Sequence, residues 1–225
     1  MPPTSPELWT VPSTTLPVLD RTVKKSYSRA VPRPREFDEA GVVAAVRQEF
    51  WDKGYAATSL DDLMRASGLG KGSLYGAFGD KRSLFLRVLR DYDEANDRML
   101  RERLAAAERG ADFVRDFVRG PGCDATGARR GCLLANTTAE LAMSMPDVAA
   151  EARRSYEATT RVLTEALDRA QREGDVDPDA DAEELARAVL AAQLGIVALG
   201  RTGMDLDELA TAADCALRRL LPATG

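Results

Sequence analysis

The chain has 225 residues, 44% of them hydrophobic, with a formal net charge of -5 and no histidine. That length suits one large domain or two smaller ones with a real core. The missing histidine removes Ser-His-Asp triads, Cys-His dyads, His-ligated zinc and the helical zinc-protease motif.

Charge is unevenly spread. Residues 21–90 carry 14 Lys and Arg against 8 Asp and Glu, a net of +6, whereas residues 91–225 carry 17 Arg against 26 Asp and Glu, a net of -9. A basic N-terminal third on an acidic body suggests that only the first part meets a polyanion. Chance clustering on solvated faces would give the same asymmetry. Cys123, Cys132 and Cys215 stand far apart without a CxxC, which reads as reduced thiols in a cytoplasmic protein. No run approaches 18 apolar residues and no apolar segment precedes a cleavage signal, so no membrane partner is expected. Nothing calls for a metal or another cofactor.

Residues 1–32 are rich in Pro, Ser and Thr and read as a disordered tail. Its bases Arg21, Lys24, Lys25 and Arg29 could form an arm into the minor groove. An upstream start-site artefact would explain the same segment. Beyond it the pattern is helical. Phe37, Val42, Val46 and Phe50 form one stripe that Gly54 ends. Thr58 or Ser59 caps a short helix carrying Leu60, Leu63 and Met64, and Gly68 breaks it. A third helix spans about 71–78. A long fourth follows Asp80 with Leu84, Phe85, Val88, Leu89 and Tyr92. Further helices are predicted over about 111–118, 132–143, 147–173, 182–202 and 206–221, nine in all. Asp181 with Glu184 and Asp205 with Glu208 have capping-box spacing. No segment reads as a strand, so the fold class is all-α.

Two short helices meeting at Gly68 within residues 58–78, with Leu60, Leu63, Met64, Leu69, Leu74 and Phe78 locking them to the first helix, have helix-turn-helix construction. Lys71, Gly72, Ser73 and Tyr75 offer small size and donors near a helix N-terminus. Pattern alone also permits an ordinary helical hairpin with a glycine turn.

The segments Arg33-Pro-Arg-Glu-Phe37, Phe50-Trp-Asp-Lys-Gly-Tyr55-Ala-Ala-Thr58-Ser-Leu-Asp-Asp-Leu63 and Gly72-Ser-Leu-Tyr75-Gly-Ala-Phe78-Gly-Asp-Lys81-Arg-Ser-Leu-Phe85 resemble the N-terminal domain of TetR-family repressors. The resemblance covers residues 33–92 and implies a three-helix DNA-binding domain there. Residues 93–225 would then be a larger ligand-binding and dimerisation domain. It further implies a homodimer built through the last two helices, double-stranded operator DNA as partner and an unknown small-molecule effector that releases it. By matching position, Thr58 and Ser59 would meet phosphate at the start of the second helix. Lys71, Gly72 and Ser73 would face the groove, Tyr75 would reach phosphate and Lys81 would hold the DNA edge. Small residues such as Ala188, Ala191, Ala192, Gly195 and Ala198 suit close helix approach in the dimer.

Rival motifs fail. The run Gly68-Leu-Gly-Lys-Gly-Ser73 lacks the order and the strand of a phosphate loop. Asp175, Asp177, Asp179 and Asp181 alternate like a calcium loop, but Ala180 and Ala186 stand where Gly and Glu are needed.

Pocket candidates in the C-terminal part are Phe117, Leu133, Asn136, Thr137, Tyr156, Thr160, Gln193 and Val197, with Phe113, Leu141, Met143, Leu163 and Leu194 as further walls; any of these could equally be plain core. Cys132 is the second residue of the run Gly131-Cys-Leu-Leu134, a helix start that resembles that of several TetR-type subgroups, including some electrophile-sensing repressors. Near Arg129 and Arg130 at a helix N-terminus, its thiol would gain reactivity; a small buried core residue is the plainer alternative. The function expected is a sequence-specific repressor released from a palindromic operator by a small ligand. A thiol-based redox or electrophile sensor using Cys132 is the alternative. Neither an enzyme nor a purely structural helical protein fits as well: the first lacks a nucleophile-base pair, and the second has no need of Lys71, Tyr75 and Lys81.

Overall fold

The computed structural model describes residues 37–120 and 125–221, and among these every regular element is helical. The predicted tail and its basic arm, Arg33 to Glu36 and Cys123 lie outside the described residues. The described residues from Phe37 onward belong to one compact unit.

Helix α1 (Glu39–Ala57) starts where the Asp38 carboxylate accepts the Ala40 N–H at 3.0 Å, and it buries Val42, Val43, Val46 and Phe50. Gly54 breaks its helical geometry at φ 80°, ψ 170°, a conformation that costs a side-chain-bearing residue. Helix α2 (Leu60–Ser67) ends on Gly68 in the left-handed region. Helix α3 (Lys71–Phe78) then buries Leu74. In α4 (Lys81–Ala106) the Asp80 carboxylate caps the start, accepting the Ser83 N–H at 2.7 Å.

Helix α4 is the spine of the molecule. Its first half places Leu84, Phe85, Val88 and Leu89 in a core with α1, α2 and α3, while Leu100 belongs to a second core. The boundary expected at residues 92 and 93 therefore falls inside a continuous helix. The second core is made by α5 (Gly110–Arg119), α8 (Pro146–Arg172), α9 (Ala182–Arg201) and α10 (Leu206–Leu220). Helix α8 packs on α4, α5, α7 and α9, and Phe113, Leu163, Leu167 and Leu209 are fully buried. Each such side chain contributes about 1.5–3 kcal/mol on leaving water.

Two short elements refine the sequence reading. Helix α6 (Ala125–Arg130) precedes α7 (Leu133–Leu141), so ten helices are described where nine were expected. Cys132 is the N-cap of α7 rather than its first turn. Helix α7 also stops at Leu141, leaving Met143 fully exposed in the following turn; Met143 is no pocket wall. Phe113 and Leu163 are likewise core residues.

Candidate nucleic-acid interface

The helix-turn-helix is built by α2 and α3. Ser59 caps α2 with a reciprocal box: its hydroxyl accepts the Asp62 N–H at 3.1 Å, and Asp62 accepts the Ser59 N–H at 2.9 Å. Lys53 donates to the same Asp62 carboxylate at 2.6 Å, and this contact leads the causes that hold the carboxyl below its ordinary value. Ser59 is therefore a helix cap first.

Thr58 departs from expectation. It is 1% exposed, and its hydroxyl donates to the Gly54 carbonyl at 2.6 Å. The expected phosphate contact from this hydroxyl is corrected: it closes the end of α1 instead.

The start of α3 is open. Lys71, Gly72 and Ser73 are exposed, whereas Leu74 beneath them has no exposure. A Cβ at Gly70, Gly72 or Gly76 would meet nothing within 4 Å, so the outward face is thin. Gly70 caps α3 without a side-chain acceptor, leaving the first amides of the helix free for an external anion. Tyr75 is half-buried against the α1–α4 core. Lys81 opens α4 with its ammonium 4.4 Å from the centroid of the Tyr55 ring. Burial lowers the Lys81 pKa somewhat and raises that of Tyr55. Lys71, Ser73, Tyr75 and Lys81 thus fall on α3 and the adjoining start of α4.

The remainder of the chain grips this unit at several points. Both carboxylate oxygens of Glu140 on α7 accept backbone N–H groups, from Tyr55 at 3.1 Å and Ala56 at 2.8 Å. Because Gly54 turns there, a Cβ on it would lie 2.8 Å from Glu140 Oε2. The Trp51 indole N–H donates to the Gly131 carbonyl at 3.2 Å, and the Arg130 guanidinium lies 4.4 Å from the Trp51 ring centroid while pairing with Asp52 at 2.9 Å. Arg82 pairs with Asp147 on α8 at 2.8 Å. Leu133, Leu141 and Val148 complete the core of α1 and α4. Sequence reasoning missed these contacts, because no local pattern pairs Glu140 with Tyr55 and Ala56 or Trp51 with Gly131.

Comparison with known proteins decides the family. The pattern described as "Bacterial regulatory proteins, tetR family" matches residues 42–88, and "Tetracyclin repressor-like, C-terminal domain" matches residues 106–216. The chain belongs to the TetR family. It is 31% identical to the uncharacterized HTH-type transcriptional regulator YezE of Bacillus subtilis over 82% of this chain and 97% of that one. It is 28% identical to the HTH-type transcriptional repressor ComR of Escherichia coli, covering 87% of this chain and 93% of that one. Among solved structures it resembles a cysteine mutant of the TetR-family regulator CifR complexed with 26-bp double-strand operator DNA. That likeness has a TM-score of 0.70 at 26% identity, over 83% of this chain and 98% of that one. A TetR-family regulator from Cytophaga hutchinsonii shares the fold with a TM-score of 0.73 at 21% identity, over 80% and 92% of the two chains. This TetR-family chain is thus a transcriptional regulator, not an enzyme.

A cavity of about 280 Å³ lies between the C-terminal helices and Trp51 of α1 and Tyr92 of α4. Phe117, Tyr156, Gln193 and Val197, pocket candidates from sequence, line it together with Trp51, Tyr92 and Cys132. No charged side chain lines it among the described residues. Four other candidates lie elsewhere. Leu133, Asn136 and Thr137 line a separate groove of about 560 Å³ on the side of α7 facing α1, and Thr160 borders outer grooves along α8. A nine-residue helix has two faces, and sequence spacing does not say which one meets the cavity. Cys132 Sγ lies 3.5 Å from the Tyr92 hydroxyl. Arg130, expected to activate this thiol, turns its guanidinium to Asp52, Gln48 and Trp51 instead.

Proposed function

We propose that this TetR-family regulator is a repressor that binds a palindromic operator as a homodimer and is released when an uncharged small molecule enters the cavity of its C-terminal part. One observation carries the reading: Trp51 of α1 and Tyr92 of α4 are at once cavity walls and neighbours of the helix-turn-helix core. An occupant that displaces either residue acts on the helices that carry α2 and α3. The uncharged lining and the aromatic rings favour a largely apolar ligand with one or two hydrogen-bonding groups, held by Tyr156 and Gln193. Such a ligand shifts the protein away from its DNA-binding form only by its differential affinity for the two forms.

Lys71, Gly72 and Ser73 approach base edges, and Tyr75 and Lys81 hold phosphates. Ser59 contributes its capped amide end rather than a free hydroxyl. Ala191, Gly195, Ala198 and Leu199 lie exposed along α9, which supports pairing of the last two helices with a second copy. Residues 37–92 serve DNA and residues 93–221 serve ligand and partner, sharing α4. The reading carries with it a cytoplasmic location, where the operator is found.

The test is selection of bound fragments from genomic DNA, followed by mobility-shift assays on the recovered operator with small neutral metabolites. A palindrome bound at nanomolar protein, with a light-scattering mass near twice the 24.4 kDa chain, is expected. A monomer that retains no preferred sequence overturns the proposal.

A second reading has one observation in its favour, the Cys132 thiol on the cavity wall beside Tyr92. In it, an electrophile or oxidant modifies Cys132 and releases DNA. Cys132→Ser would then keep operator binding and lose that release; insensitivity of the wild type to such reagents rejects it.

A further inference from the structure

Tyr55 follows the turn at Gly54, and its ring packs on two residues of the N-terminal core. The centroid distances are 4.8 Å to Phe85 and 6.1 Å to Phe50, and both phenylalanines are 1% exposed. The Tyr55 amide is fixed as well, donating to Glu140 at 3.1 Å. The ring is therefore held by its core neighbours and by its backbone. Lys81 lies over it, the ammonium 4.4 Å from the ring centroid. Lys81 and Phe85 stand four residues apart on α4 and share one face of that helix, so a single ring meets both.

This contact differs from those of the neighbouring cations. Lys53 is tied to Glu49 and Asp62, and Arg82 to Asp147. A carboxylate orients a cation and cancels its charge, whereas a ring orients it and leaves the charge whole. Glu140 is a carboxylate whose field reaches Lys81, and both its oxygens already accept the Tyr55 and Ala56 amides. Burial lowers the Lys81 pKa, the mark of an ammonium that has shed part of its water. Such a group gives up less water on meeting an anion. The ring also restrains a long side chain that would otherwise lose its rotamer freedom on binding.

We infer that Tyr55 is a positioning residue of the DNA interface: its ring presents the Lys81 ammonium, ordered and with its charge intact, to a backbone phosphate. The inference rests on the reading of Lys81 as a phosphate contact and extends the interface to a residue that acts through Lys81. The ring face does this, not the hydroxyl, so phenylalanine can replace Tyr55 and leucine cannot.

Mobility-shift titrations of the full chain on the recovered operator and on scrambled DNA, at two salt concentrations, test it. The proteins are wild type, Tyr55→Phe, Tyr55→Leu, Lys81→Ala and the double variant of the last two. Tyr55→Leu should weaken binding to both DNAs about three- to tenfold and make the salt slope shallower, while Tyr55→Phe keeps wild-type values. In the Lys81→Ala background Tyr55→Leu should have little further effect, as expected of two residues that act together. A second measurement needs neither DNA nor a substitution. The Lys81 methylene protons beside the ammonium should resonate upfield in the NMR spectrum of the free protein, because they lie over a ring. Three results overturn the inference: those protons have ordinary shifts, folded Tyr55→Leu binds as wild type, or Tyr55→Leu weakens binding equally with and without Lys81. Wild-type binding by Lys81→Ala overturns it too, by removing the phosphate contact on which it rests; the other three leave that contact standing.

Discussion

The indole N–H of Trp51 donates to the backbone carbonyl of Gly131 at 3.2 Å, joining the fourth turn of α1 to the segment that leads into α7. The bond crosses 80 residues of sequence, and the ring it belongs to is also a wall of the cavity of about 280 Å³. Trp51→Phe keeps most of the apolar contact but loses the hydrogen bond and weakens the Arg130 contact. Urea denaturation should show a loss of about 1–2 kcal/mol. An unchanged midpoint would mean that the junction contributes nothing to folding.

Glu140 makes the companion contact, and two effects oppose each other when it is removed. Glu140→Ala frees the Tyr55 and Ala56 amides and loosens the turn that orients α2. It also deletes a negative charge from the neighbourhood of Lys81, whose ammonium it faces. Operator binding should therefore weaken while binding to scrambled DNA holds or improves. Mobility-shift titrations on both DNAs should show a smaller specificity ratio, and an unchanged ratio would remove Glu140 from any positioning role.

Thr58 separates a structural role from a DNA contact. Its hydroxyl is buried and donated to Gly54, so Thr58→Val should lower stability by about 1–3 kcal/mol. The salt dependence of operator binding should not change. A variant of full stability with a shallower salt slope would restore the phosphate contact expected from sequence.

Alkaline stability follows from three phenols. Burial raises the pKa of Tyr92 most, and of Tyr55 and Tyr156 to a lesser degree. A raised folded-state value means that the native protein keeps its phenolic protons when the unfolded chain has released them. Stability is then full below the ordinary tyrosine value of about 10 and falls as pH rises beyond it. Denaturation midpoints should drop above that pH, and Tyr92→Phe should flatten the fall. Equal slopes in the two proteins would contradict the burial argument.

The helix-turn-helix was legible because its signals are local. Gly68 and Gly79 punctuate it, Ser59 and Asp62 stand at capping spacing, and Leu60, Leu63 and Leu74 mark one apolar side. The cavity was legible only by halves. Phe117, Tyr156, Gln193 and Val197 face it, yet Asn136 and Thr137 on α7 face the opposite groove, because helical periodicity fixes relative but not absolute orientation. The contacts that couple the parts were invisible. Glu140 with Tyr55 and Arg82 with Asp147 join residues 85 and 65 positions apart, and no local pattern encodes such a pairing.

Within the DNA-reading face, Lys71 and Lys81 should behave differently. Lys81→Ala should weaken binding to all sequences alike and reduce the salt slope by about 1, as expected for one lost phosphate contact. Lys71→Ala should change which sequences are preferred, costing about 1–3 kcal/mol on the operator if a base edge is lost. Identical effects on operator and scrambled DNA would assign Lys71 to the backbone as well.

The central claim is that α3 and the start of α4 read the operator. The most direct measurement is a mobility-shift titration of a Lys71, Tyr75, Lys81 triple-alanine variant on operator and scrambled DNA at two salt concentrations, with its fold verified by circular dichroism. These side chains are exposed or half-buried, so the helical fold should survive while operator preference is lost. Full operator affinity in the folded variant would contradict the account.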